Sequence, residues 1–165
     1  MLRAHFARSA AYNRWANERL YAAAAELSDA EYRADRGVFF KSVHGTLNHV
    51  LVADRIWLAR LTGERDFVQP ALDATLFETL AALRNARQRE DERLVRYVEA
   101  LDESALAGDL TYRRGNGEVF TEPLAGVLAH VFNHQTHHRG QAHAALTNLG
   151  RRAPELDLLL FLRQR

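Results

Sequence analysis

PLAGVLAHVFNHQTHHRGQAHAALTNLG, residues 123–150, reads as one long helix that ends at a glycine. Pro123 suits the first turn, where its missing N–H is not needed, and Gly150 suits the residue just past the end. Five of the chain's eight histidines lie in this stretch, four of them within nine residues: His130, His134, His137 and His138, with His143 beyond. A helical wheel at ~100° per residue, with His134 at zero, separates them. Val127 and Ala145 fall near ~20°, Val131 and Leu149 near ~60°, and Leu124 near ~80°. His138 lies at ~40°, inside this apolar stripe, and His134 lies at its margin. His130 and His137 fall near about −40° and −60°, off the stripe, and His143 points the opposite way. They are expected as rim or solvent residues. His134 and His138 are thus an i, i+4 pair aimed inward, the spacing with which one helix gives two ligands to a metal ion. An isolated histidine on an apolar face is commonly held by a neighbour's hydrogen bond. Two together need two polar partners in the core, which a shared ion would remove. The segment is H-Q-T-H-H, not H-E-x-x-H, so it contains no glutamate base of the zinc-protease kind.

Three more helices are expected upstream. The first covers about Arg3 to Leu27, with Phe6, Tyr12, Trp15, Leu20 and Leu27 available to a core. Ser28 and Glu31 form an S-x-x-E capping box that opens a short turn. The second runs from about Ser42 to Leu61, with Gly63 as its C-terminal cap. Thr75 and Glu78 repeat the capping-box pattern and are expected to open the third, which carries Leu76, Leu80, Leu83, Leu94 and Val98. Gly115-Asn116-Gly117, flanked by Thr111-Tyr112 and Val119-Phe120, predicts a short hairpin or structured loop before the last helix. The tail, Pro154 to Arg165, is expected to fold an apolar turn back onto the helices. Four helices of roughly 20 to 28 residues predict an all-α four-helix bundle forming a single domain over 1–165. Sites in such bundles are built in the core from facing helices.

The second helix offers a further ligand from His44 or His49, which flank its stripe (Val43, Val50, Trp57, Leu61) at similar angles. Periodicity leaves both open. Asp54 falls within the stripe, where it would either orient a ligand histidine or pair with an arginine.

Composition narrows the function classes. The chain has 165 residues, 47% hydrophobic and 26% charged, with a formal net charge of +1. No field of one sign is present to recruit nucleic acid or an anionic membrane. Lys41 is the only lysine, and arginines are spread throughout. There are no cysteines, so a disulfide, a thiolate zinc site and a cysteine nucleophile are all excluded. Apolar runs such as Leu156 to Leu162 are too short to span a bilayer. The N-terminal stretch has no signal-peptide core, and the expected location is the cytoplasm.

Several stretches resemble the DinB/YfiT-like family, a damage-inducible family of metal-dependent four-helix bundles. These are Tyr12-Asn13-Arg14-Trp15-Ala16-Asn17, Gly45-Thr46-Leu47-Asn48-His49-Val50 running on to Trp57, His130 through Gln141, and Pro154-Glu155-Leu156-Asp157. The resemblance implies a three-histidine site, His49, His134 and His138, for a zinc or nickel ion. It selects His49 over His44. It also implies up-down-down-up topology, a homodimer and relatives that act as thiol-dependent transferases or isomerases. Lacking cysteine, this chain would borrow its thiol from a low-molecular-weight cosubstrate. Arg55, Arg139 and Gln141 are then candidates for substrate contact. A metal-dependent hydrolase, a non-catalytic metal-binding stress-response protein and a metal-free structural dimer are the competing expectations. Three imidazoles favour an open site, since structural zinc sites normally have four protein ligands.

Overall fold

Side-chain caps open four of the helices in the computed structural model, which describes residues 1–64 and 66–164. Helix α1 spans Leu2–Ala24. Ser28 and Glu31 then satisfy each other's backbone N–H groups and open α2, Asp29–Arg33. Ser42 accepts from the Gly45 N–H at 3.0 Å to start α3, Val43–Thr62, which stops at Gly63 in the left-handed region.

The third long helix, α4, spans Leu80–Ala100 and is capped by Thr79, so the expected start at Thr75 and Glu78 is corrected. The reason is a tertiary contact. Asn48 Oδ1 accepts the backbone N–H groups of Leu76 (2.9 Å) and Phe77 (3.1 Å), which holds that segment out of the helix. Leu76 still packs against the core, from the connection. A turn of helix absent from the sequence reading, α5 (Glu103–Leu106), follows, capped by Asp102. Strands β1 (Asp109–Arg113) and β2 (Val119–Pro123) form the hairpin, pairing Tyr112 with Phe120. Helix α6 covers Leu124–Asn148. The tail forms α7, Leu158–Arg163, whose buried Phe161 meets the rings of Tyr12 and Trp15.

The protein is mostly helical, and its four long helices pack as a bundle: α1 lies against α4 and α6, and α3 lies against the same two. The core has two apolar parts. One includes Leu20, Leu47, Leu51, Leu83 and Leu146; the other includes Phe6, Leu58, Leu94, Leu128 and Val131. On each long helix a set of buried polar residues lies between them: Asn13 and Asn17, Asp54, Arg87 and Asp91, and Gln135 and Arg139. No described helix is long and apolar enough to cross a membrane.

The turn before α3 is drawn tightly onto the helix. Lys41 takes φ 67°, a left-handed conformation unusual for a side-chain-bearing residue, and Ser42 N–H donates to Phe40 O at 2.8 Å. A Cβ on Gly45 would stand 2.2 Å from the Phe40 carbonyl oxygen. Gly45→Ala is therefore expected to push this turn outward and lower stability by about 1–3 kcal/mol, read as a lower denaturation midpoint.

Candidate metal centre

Helix α3 carries His49 and α6 carries His134 and His138, and the three rings converge. Ligand nitrogens from all three lie within 4.8 Å of one another. His49 Nε2 is 3.3 Å from His134 Nε2 and 3.2 Å from His138 Nε2. Nitrogens sharing one zinc ion at ~2.0–2.1 Å in tetrahedral geometry stand ~3.3 Å apart, so the donor set fits such an ion.

The opposite ring nitrogens explain why these faces are free. His49 Nδ1 lies 2.7 Å from the Leu72 carbonyl oxygen, and His138 Nδ1 lies 2.8 Å from Gln141 Oε1. Both partners only accept, so each Nδ1 carries the proton and each Nε2 presents a lone pair. Two lone pairs then face each other at 3.2 Å, an arrangement that a cation between them would relieve. Phe40 stacks on His49 with ring centroids 3.7 Å apart, covering one face of the cluster.

Burial, reinforced by the neighbouring imidazoles, holds His134 far below the ordinary histidine range, at about 3. Burial likewise takes His138 down to about 4 and lowers His49. A histidine whose folded pKa is depressed contributes stability above its unfolded value of about 6.5, and loses it as pH falls toward the folded value. Chelator-treated protein is therefore expected to lose on the order of 1 kcal/mol between about pH 7.5 and about pH 5, measured by denaturant titration. The His134→Gln variant is expected to flatten that loss.

The remaining sequence candidates divide clearly. His44 is turned away, with Nε2 3.2 Å from Phe77 O and its ring against Tyr32. His130 is exposed and packs edge-on to Trp57. His137, also exposed, meets Gln141 Nε2 at 3.2 Å. Asp54 takes the arginine partner rather than a histidine: it pairs with Arg87 and accepts from Gln135, while burial pushes its carboxyl up to about 6.

The two arginines offered as substrate contacts are engaged within the protein. Arg139 is buried and donates to Asn13, Gln135 and Thr136. Arg55 pairs with Glu90 at 3.7 Å and lies over Phe77. Gln141 has a different use, fixing the tautomer of His138. Gln141→Ala is expected to weaken zinc binding by roughly 10- to 100-fold in a competition titration, with the helical content unchanged. Phe40 and the Leu72 carbonyl were missed by sequence reasoning, because both come from connections whose placement no periodicity encodes.

Fold and cluster together define a helical-bundle protein with a buried three-imidazole group able to hold a metal ion. The chain belongs to the DinB family, whose match covers residues 1–165. It is also similar to Protein DinB of Bacillus subtilis (strain 168), at 27% identity over 157 residues, covering 92% of this chain and 90% of that protein.

Proposed function

We propose that His49, His134 and His138 bind one divalent ion, zinc or nickel, and that the protein is a metal-dependent enzyme using a low-molecular-weight thiol as cosubstrate. The observation that carries the metal reading is the pair of opposed Nε2 lone pairs at 3.2 Å, each fixed by an acceptor behind it. An ion held there would supply Lewis acidity, lowering the pKa of a thiol or water that reaches it. The chain's own contribution is to hold three neutral imidazoles in place and to shield one face with Phe40. A cavity of about 390 Å³ leaves His49 and His134 open to a small molecule. Because no cysteine is present, a thiol nucleophile must come with the substrate.

The reading also takes the bundle as up-down-down-up and the protein as a homodimer. Pairings between helices support the topology. Phe6 meets Phe132 and Asn13 meets Arg139, as for α1 and α6 running the same way. Arg3 reaches Glu99 while Asn13 reaches Asp91, as for α1 and α4 opposed. Asp54 pairs with Arg87 and Glu64 with Arg93, as for α3 and α4 running together.

The test is metal content of untagged protein by mass spectrometry, after chelation and dialysis against zinc or nickel. About one ion per chain is expected. Protein that retains none and takes up none would end the metal reading. With the ion bound, thiol transfer to electrophiles is the activity to assay first.

A further inference from the structure

The cavity beside the imidazole cluster has a second chemical end. From His49 and His134 its wall passes His130 and Trp57 and reaches Arg60 and Arg114. It continues into a groove of about 760 Å³ that shares both arginines and Gln69 and runs along the hairpin.

Arg60 is held in place by rings rather than by a counter-ion. Its guanidinium lies 4.6 Å from the Trp57 ring centroid and 5.0 Å from that of Tyr112, and Nη2 donates to Gln69 Oε1 at 3.2 Å. Among the described residues no carboxylate pairs with it. The part-buried arginines Arg55 and Arg93 both have acidic partners, and Arg60 differs from them. Its charged neighbour is instead Arg114, of the same sign, and burial with that repulsion lowers its pKa. Arg114 lies over Phe120 and, among the described residues, has only Glu118 as an acidic partner, at 4.0 Å on the exposed hairpin turn. Glu64, the acid bordering the wider groove, is engaged by Arg93.

A half-buried guanidinium, lying over two rings with its donors largely unused, is ready to receive a planar or tetrahedral oxyanion in two-point fashion. We propose that Arg60, assisted by Arg114, is the oxyanion seat of a substrate pocket. Its ligand is a small organic anion, bearing a carboxylate or a phosphate, whose other end reaches the imidazole cluster. The cavity volume suits a ligand of this size. The assignment of the reacting end rests on the metal reading above; the anion seat does not.

The experiment titrates glutarate, methyl phosphate and the neutral 1,5-pentanediol into the protein at low salt, by calorimetry and ligand-observed NMR. It is run on chelator-treated and on zinc-loaded protein, with zinc content measured separately. Either anion should bind in both states, and the tighter one identifies the carboxylate or phosphate class. The diol should not bind. Arg60→Gln should weaken the anion by about tenfold or more, Arg114→Gln by less, and Arg60→Lys should fall between Arg60→Gln and wild type. The surface variant Arg152→Gln should match wild type. Circular dichroism checks folding, and Arg60→Lys and Arg114→Gln carry the test if Arg60→Gln does not fold. Equal affinity in wild type and the folded Arg60 and Arg114 variants overturns the proposal. So does anion binding that requires zinc and ignores Arg60, since the anion would then sit on the metal. Failure to bind zinc with intact anion binding would instead remove the metal reading and leave the seat.

Discussion

His138→Ala is expected to abolish stoichiometric zinc or nickel uptake while leaving the helices folded. Removing one of three ligands leaves an i-to-helix-partner pair that shares little chelate advantage. Dividing the ~10–16 kcal/mol of a four-ligand zinc site evenly gives roughly 2.5–4 kcal/mol per imidazole, or about two to three powers of ten in affinity. His134→Ala should behave alike, and His44→Ala should not. A second readout separates a ligand from a packing residue. At zinc near 100 times the wild-type Kd, bound metal adds about 2.7 kcal/mol, which for a chain of this size raises Tm by roughly 5–10 °C. Both ligand variants should lose that shift. In chelator, His138→Ala should melt close to wild type, because the deleted ring is desolvated and opposes the lone pair of His49, and alanine favours the helix. A variant that binds zinc as tightly as wild type, or melts far lower in chelator, would make His138 a structural residue.

The inward direction of His134 and His138 was legible because it depends only on the helical period and the apolar stripe around them. The choice of His49 over His44 was not. It turns on the 72–77 connection, which lays the Leu72 carbonyl on His49 and the Phe77 carbonyl on His44. Family resemblance picked His49, and the structure places His49 rather than His44 beside His134 and His138. The same connection explains the misplaced start of α4. Thr75 and Glu78 have capping-box spacing, but Asn48 already holds the backbone donors of Leu76 and Phe77, and Arg33 engages Glu78. Ser28-Glu31 and Gly63 read correctly because their partners lie within a few residues. The burial of Arg139, offered as a substrate contact, was not legible either. Its burial depends on Asn13 and Asn17 from α1, more than a hundred positions away.

Arg87→Met is the substitution outside the imidazole cluster with the largest expected cost. Arg87 is about 2% exposed and pairs with Asp54 on α3 and, at 3.1 Å, with Asp91 on its own helix. Asp91 also accepts from Asn13 and Asn17 on α1, and Asp54 accepts from Gln135 on α6, so this one layer joins all four long helices. Asp54, Asp91, Arg87 and Arg139 sum to zero charge. Methionine would fill most of the volume but leave two buried carboxylates facing a single remaining arginine. Breaking such a pair costs about 3–5 kcal/mol, or roughly 6–20 °C in Tm here. The sign of the pH effect follows. Burial already raises the Asp54 carboxyl to about 6, and losing Arg87 removes the largest opposing pull. A raised carboxyl stabilises the fold below its unfolded pKa and ceases to as pH climbs through the folded value. The deficit of Arg87→Met should thus be greatest at neutral pH and shrink toward about pH 4. Adding Asp54→Asn restores charge balance and keeps an acceptor for Gln135. The double variant should therefore be more stable than Arg87→Met alone, despite carrying one more change. If denaturation shows the two effects simply adding, the layer is held by packing and not by charge pairing.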